Sequence, residues 1–294
     1  MKKLLMLAAM LVAYASMCQA QLLWKVSGGG LEKPSYIFGT HHFAPQGLLD
    51  SIPGFDDAVR ASDVVIGEID MIHLDPMAAQ QAAMKHAMAP VDSTLSKLLS
   101  QPQLDSLTLV LSKYSNGMLS APALEPMKPA MVSLTLTQLQ SANIAPDSRY
   151  SQGIQLDTYI QQLGDSLQKE VRGLETMDQQ FGMLLDYSLA LQAEQLMQAV
   201  RTDDKSMEMM DKLTDAYLTQ DLPTIEKMFL DPEVLDEFSR ARLIDARNNA
   251  WVAELVQLMP QKSVFVAVGA GHLVQPVGLL QQLRDRGFTV APVQ

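Results

Sequence analysis

The chain reads as an α/β (α+β) fold, with a central mixed, mainly parallel sheet built from its N- and C-terminal segments and a large helical insertion between them. Three observations predict it. Tyr36-Ile37-Phe38, Val64-Val65-Ile66 and residues 264–268 are short runs of β-branched and aromatic residues, the composition and length of buried strands. These runs lie towards the two ends of the sequence. Between about residues 75 and 260, apolar residues recur mainly at three- and four-residue spacing, which is the period of a helix.

Taken in order, Leu22-Leu23-Trp24-Lys25-Val26 alternates as a strand and Gly28-Gly29-Gly30 supplies a loop, so residues 36–38 should return as its hairpin partner. Residues 53–61 form a short amphipathic pattern closed by Asp63, ahead of a strand over 64–69. Strand, helix and strand within about thirty residues predict a βαβ unit with parallel pairing. Three or four helices should follow between 75 and 142, with starts at Asp92-Ser93-Thr94-Leu95 and Gln101-Pro102-Gln103. Their methionines suit core filling better than metal ligation. Residues 153–163 read as a helix and 169–174 as a strand ending at Glu175. Thr176-Met177-Asp178-Gln179 fits a capping box that opens a helix to about Arg201. Helices over 203–219, 222–229 and 232–259 lead to the strand at 264–268. A helix from about Val277 to Arg286, a stop at Gly287 and a strand over 288–293 complete a second βαβ-like unit. From residue 21 to residue 294 this is expected to be a single domain.

Residues 1–20 stand apart. Lys2 and Lys3, an apolar stretch from Leu4 to Ala15 and Cys18-Gln19-Ala20 have the layout of a secretory signal peptide, too short for a membrane span. Cleavage after Ala20 predicts an exported protein, periplasmic or secreted. Acylation of Cys18 is the alternative, disfavoured by Met17 where a small residue is expected. No later apolar run is long enough to span a bilayer. Cys18 is the only cysteine, so the exported chain would have no disulfide, thiolate metal site or cysteine nucleophile. The formal charge of −11 becomes −13 when Lys2 and Lys3 are lost. So acidic a chain suits neither nucleic acid nor an anionic membrane.

The chemical signal lies where strands end. His41 and His42 follow the first parallel strand, Glu68 the second and His272 the last. In open parallel sheets, ligand sites form beyond the carboxyl ends of strands. If these strands are neighbours, two imidazoles and a carboxylate converge, which is a ligand set for a divalent metal ion (Mn, Co or Zn) with an open position. A metal-bound water has a pKa of roughly 7, so hydrolysis is the reaction class implied. Each residue also has a structural reading, as a hydrogen-bonded loop histidine or an exposed strand-end carboxylate. Arg247-Asn248, with Trp251 four residues beyond the arginine, suits either ion pairing or polarisation of a substrate carbonyl. His73 and His86, lacking partner spacing, read as surface residues. No GxSxG, HExxH, P-loop or dinucleotide fingerprint is present, and no helix follows the glycine triplet at 28–30.

The same residues resemble the TraB/PrgY/GumN family, the Tiki-like metalloprotease superfamily. The resemblance runs through Leu23-Trp24-Lys25-Val26, Ser35-Tyr36-Ile37-Phe38-Gly39-Thr40-His41-His42 and Val65-Ile66-Gly67-Glu68. It continues in Gly153-Ile154-Gln155-Leu156-Asp157, Gly173-Leu174-Glu175-Thr176, Gln180 and Arg247-Asn248, and ends in residues 266–273. Its most specific part is the pair of Gly-x-x-His motifs, Gly39/His42 and Gly269/His272, with a glutamate after the first. It implies a fold like that of the erythromycin esterase and haem-binding ChaN relatives, and metal-dependent proteolysis as in the Tiki members. Carried over, His42, Glu68 and His272 become metal ligands or water activators, and Arg247 a stabiliser of the oxyanion. Glu175 becomes a further acid. His41 stands where the family usually has an apolar residue, so either histidine of the pair remains open as the ligand. Gln275 replaces a glycine that commonly follows the second motif.

The expectation is therefore an exported metal-dependent hydrolase, with a peptidase foremost and a peptide or protein as substrate. The alternative is a non-catalytic haem-, metal- or peptide-binding envelope protein on the same scaffold.

Overall fold

A computed structural model describes residues 21–144, 149, 153–274 and 276–293. The expected signal peptide, with Cys18, and Gln275 lie outside the described residues. The chain divides into two compact units. One gathers the described residues of Met1–Ile72, Gly153–Leu174 and Leu213–Gln294; the other comprises those of His73–Gln152 and Glu175–Lys212.

The first unit carries the sheet. Its six strands are β1 (Leu23–Gly28), β2 (Ser35–Thr40), β3 (Val64–Gly67), β4 (Glu170–Gly173), β5 (Val264–Gly269) and β6 (Phe288–Pro292), in the order β4-β3-β5-β2-β1-β6. β4, β3, β5 and β2 are mutually parallel, and β1 runs antiparallel to both β2 and β6. The mixed, mainly parallel sheet is thus present, built from both ends of the sequence with β4 added from its middle, as is the β1–β2 hairpin.

The two βαβ units have a different layout from the simplest one. β2 and β3 are parallel, but β5 lies between them, with Val64 facing Val264 on one side and Tyr36 facing Phe265 on the other. Likewise β6 lies beyond β1 rather than beside β5. Burial explains the central place of β5, where every residue from Val264 to Val268 is buried. A strand with both faces covered is stable only in the interior of the sheet. Phe55 meets Phe38 and Phe265 edge to face, with ring centroids 5.2 and 5.4 Å apart.

Helices Phe55–Ala61, Leu156–Ser166, Leu222–Leu230, Ala246–Leu258 and Leu279–Asp285 belong to this unit. The long helix expected from residue 232 begins only at Glu237, capped by Asp236, and passes through one π-helical turn, Ala241–Asp245. Helix Leu156–Ser166 lies against β3, where Gly164 faces Val65. A Cβ added at Gly164 would stand 2.7 Å from Val65 Cγ2.

The second unit is helical. Pro76–Ala87, Leu95–Leu98, Gln101–Ser115 and Pro129–Ile144 supply the four helices expected in this stretch, and Ser100 with Gln103 forms a capping box at the third. Leu107, Leu111, Leu136 and Leu196 are central to its core. The capping box of Thr176 and Gln179 forms as predicted, but the helix it opens stops at Leu185. Ser188 then caps a new helix, Leu189–Arg201, by accepting from the Leu191 amide. Serine and aspartate compete with the helix for backbone hydrogen bonds, which favours a break at residues 186–188.

Two burial assignments need correction. His86 is buried: its Nδ1 lies 2.6 Å from Asp186 and its Nε2 3.0 Å from Asp178, while Lys128 and Lys85 pair with the same carboxylates. Gly182 leaves room for the ring, since a Cβ there would lie 3.3 Å from His86 Cε1. The methionines are not uniformly core filler either. Met197 and Met259 are buried, whereas Met77, Met84, Met88 and Met118 are exposed.

Candidate active site

Strand register brings the predicted residues together. Thr40, at the end of β2, faces Gly269 at the end of β5, and Ile66 of β3 faces Val266 on the other side of β5. His42, Glu68 and His272 therefore leave three adjacent parallel strands at the same edge. Close packing of glycine makes this possible. A Cβ on Gly39 would stand 3.0 Å from Leu273 Cδ2 and 3.1 Å from Ala270, so only glycine lets β2 approach the turn after β5 so closely.

Glu68 and His272 meet over Arg247, which is in the first turn of helix Ala246–Leu258. Arg247 Nη2 donates to Glu68 Oε2 in a short ion pair, and Arg247 Nη1 lies 3.0 Å from His272 Nε2. Glu68 Oε1 accepts the Gly269 amide at 2.9 Å. On the far side of the imidazole, His272 Nδ1 lies 2.7 Å from Asn248 Oδ1. Asn248 is itself pinned, because its amide donates to the carbonyls of His272 and Val277. With Asn248 Oδ1 able only to accept, His272 carries its proton on Nδ1 and turns the Nε2 lone pair towards Arg247. Trp251 closes the floor, with its ring 4.5 Å from both the His272 ring and the Arg247 guanidinium.

Burial lowers the His272 pKa to about 3, and Arg247 and His42 act in the same direction, so the ring is neutral. Burial alone would raise Glu68, but the charges of Arg247 and His42 and the Gly269 amide outweigh it and hold the carboxyl below its usual range. His42 is different. Its Nδ1 lies 2.6 Å from Asp157 Oδ2, and the other oxygen of Asp157 accepts from Thr40 Oγ1 at 2.5 Å. The Asp157 charge lifts the His42 pKa to about 9 against the cost of desolvation, with Glu68 adding to the rise. At neutral pH His42 is thus an imidazolium, with a side chain 51 % exposed.

The neighbouring histidine takes another path. His41 Nε2 lies 3.2 Å from Thr214 Oγ1, and its ring meets the edge of Tyr217, whose hydroxyl donates to the Gly39 carbonyl. Burial lowers its pKa to about 4. It is neutral and packs on Tyr217, whereas His42 carries the charge that acts on Glu68. Glu175 follows β4 by two residues and belongs to the helical unit, where its Oε1 accepts from Gln180 at 2.9 Å.

The sequence profile of the TraB/PrgY/gumN family matches residues 22–292. The chain belongs to that family. Among curated proteins it is similar to metalloprotease TIKI1 of Danio rerio, at 25 % identity over 317 residues, covering 91 % of this chain and 62 % of the relative. It is also similar to metalloprotease TIKI1 of Xenopus tropicalis, at 24 % identity over 327 residues, covering 92 % of this chain and 62 % of the relative. The chain thus spans less than two thirds of the length of these relatives. No solved structure matches it significantly. Among the described residues no helix is long and apolar enough to cross a membrane.

This member of the TraB/PrgY/gumN family holds its expected ligands in a way that does not fit a metal. His272 Nε2 and Glu68 Oε2 both face a guanidinium, and His272 Nε2 stands 3.9 Å from Glu68 Oε1. Among the described residues no group of three His, Cys, Asp or Glu side chains is arranged to hold a metal ion. The site also contains Asp157, to which the sequence assigned no role, and Asn248, which it grouped with Arg247 but did not connect to His272. Asp157 sits in the first turn of helix Leu156–Ser166, and Asn248 anchors His272. Both fall in the stretches that carry the family resemblance, and that was the available signal.

Proposed function

We propose that the chain is an exported hydrolase acting on peptide bonds, with its active site at the ends of β2, β3 and β5. The observation that carries this reading is the convergence of Glu68, Arg247 and His272 on one buried point, within electrostatic reach of the imidazolium of His42. The relatives named as metalloproteases supply the substrate class.

Hydrolysis of an amide needs a proton acceptor for water, a positive group facing the oxygen that becomes negative, and a proton donor for the departing amine. His42 is the donor. Its proton on Nδ1 is directed at Asp157, and Nε2–H is the position left to meet a leaving group. Arg247 supplies the positive charge. Glu68 is the acceptor, since it is the anionic group at that point and burial resists protonation of its neighbour His272. While Arg247 is seated on Glu68, that carboxylate is a weak base. Metal dependence through manganese, cobalt or zinc, expected from the resemblance, requires these residues in another arrangement, and no step above depends on it.

The test is turnover of a quenched fluorescent peptide library by the wild-type protein, with and without added Mn, Co or Zn, and by Glu68→Gln and His42→Gln. General acid–base groups contribute about 100- to 10,000-fold, so each variant should lose at least 100-fold in kcat/KM with an unchanged circular dichroism spectrum. Turnover by Glu68→Gln at the wild-type rate would remove the carboxylate from the mechanism.

A further inference from the structure

We propose that Met84, Met88 and Met127 form a three-thioether site for a soft monovalent cation, copper(I), on the helical unit. The site shares no residue with the strand-end cluster and rests on no hydrolytic turnover.

Backbone pairing brings the three residues together. Helix Pro76–Ala87 ends at Met88, whose ψ of 132° turns the chain into an isolated antiparallel bridge with Met127. The Ala89 amide donates to the Pro126 carbonyl at 2.9 Å, and the Lys128 amide to the Ala87 carbonyl at 2.8 Å. Met88 and Met127 are therefore a non-hydrogen-bonded pair, with Cα atoms about 4.5 Å apart and side chains leaving the same side of the ribbon. Met84 lies one helical turn before Met88, which sets their Cβ atoms about 5–6 Å apart. Met84 is 60 % and Met88 43 % exposed, so core filling does not account for them, while Met127 is half-buried on the core of the unit. Two outer ligands can thus close on one that packing holds in place.

The donor chemistry selects the ion. A thioether sulfur is a soft, uncharged ligand and prefers Cu(I) to magnesium, manganese or zinc. An unbranched side chain with three rotatable bonds lets sulfurs from neighbouring backbone positions converge on one ion. The hard ligands of this region are already engaged. Asp178 and Asp186 take both nitrogens of His86, and Lys85 and Lys128 pair with the same carboxylates. Among the described residues no three His, Cys, Asp or Glu side chains are arranged for a metal, so only the sulfurs form a ligand set here. Lys85 and Lys128 adjoin the triad in sequence, and their pairing with carboxylates offsets the repulsion that a bound cation would meet.

The test is Cu(I) binding without oxygen, in competition with the chromogenic chelator bicinchoninate. A Cys18→Ser background removes the only thiol of the chain. In that parent protein Met84→Leu, Met88→Leu and Met127→Leu should each weaken binding by roughly tenfold or more, and the triple variant should lose one equivalent. Met77→Leu changes an exposed methionine about two turns before Met84 on the same helix and should have no effect. Thioethers carry no proton, so the affinity of that equivalent should hold between about pH 5.5 and 7.5, where imidazole ligands would become protonated. The proposal is overturned by an absence of Cu(I) binding to the parent, by undiminished binding to the triple variant, or by an equal loss in Met77→Leu. An affinity that falls with imidazole protonation overturns it too. If a leucine variant does not fold, the parent is treated with hydrogen peroxide with and without silver(I), which takes the same soft ligands. Silver should slow sulfoxide formation at Met84, Met88 and Met127 and leave Met77 and Met118 unprotected, as read by mass spectrometry of proteolytic fragments. Equal protection of all five, or of none, overturns the proposal.

Discussion

At the scale of single residues, the site is a set of charges fixed by their neighbours, and His42 with Asp157 is the pair most open to measurement. Asp157 raises the His42 pKa to about 9, so the pair is most favourable with the imidazole protonated. A raised pKa stabilises the fold fully below the unfolded value near 6.5, and the contribution fades as pH climbs through about 9. Asp157→Asn should return His42 towards 6.5, read from the pH dependence of its ring proton shifts. Because the side chain is half exposed, solvent screens the pair and the effect should be clearer in the titration than in the melting temperature. A His42 titration midpoint unmoved by Asp157→Asn would mean that the carboxylate does not set it. Residues at this scale were legible where strand ends deliver them, as with Glu68 and His272. The choice between His41 and His42 was not, because successive residues diverge after a strand and only Tyr217 and Asp157, far along the chain, decide which ring goes where. His86 was misread for the same reason: its two carboxylate partners lie 92 and 100 residues away.

At the scale of elements, local rules served well at helix starts and less well in helix interiors. The capping box at Thr176 and the helix start at Gln101-Pro102-Gln103 need only a few consecutive residues and formed as read. The break after Leu185 and the π turn at 241–245 were hidden, since helical periodicity continues across both. Packing between elements imposes a further demand at Gly164. The helix Leu156–Ser166 approaches β3 so closely that a methyl group at Gly164 would enter the Val65 side chain, at 2.7 Å from Cγ2 and 2.9 Å from Cβ. Alanine usually stabilises a helix interior by up to about 1 kcal/mol relative to glycine. Here overpacking, which costs about 1–3 kcal/mol, should win. Gly164→Ala should therefore lower the urea midpoint with the m-value unchanged. A higher midpoint would show that the helix can move outward freely. The shift also reaches the site, because Asp157 is on the same helix.

At the scale of the sheet-bearing unit, the architecture depends on one strand from the C-terminal segment. β5 is hydrogen-bonded to both β2 and β3, which do not touch each other, so the N-terminal strands share a sheet only through it. The apolar run at 264–268 announced a buried strand, but its place between two strands over 190 residues upstream is a property of pairing that no local pattern encodes. Two truncations separate its role from the general cost of losing core. A chain ending at Gly287 loses β6, which pairs at the edge with β1 alone, and should keep a cooperative melt at reduced temperature. A chain ending at Lys262 loses β5 as well, leaving β2 and β3 without a common neighbour and His272 absent. It should show no cooperative melt by circular dichroism and should bind a hydrophobic dye. If the shorter chain melts as sharply as the longer one, β2 and β3 can pair directly and the bridging role of β5 is refuted. Such long-range parallel pairing also delays the site, since Glu68 and His272 meet only when the C-terminal strand has inserted.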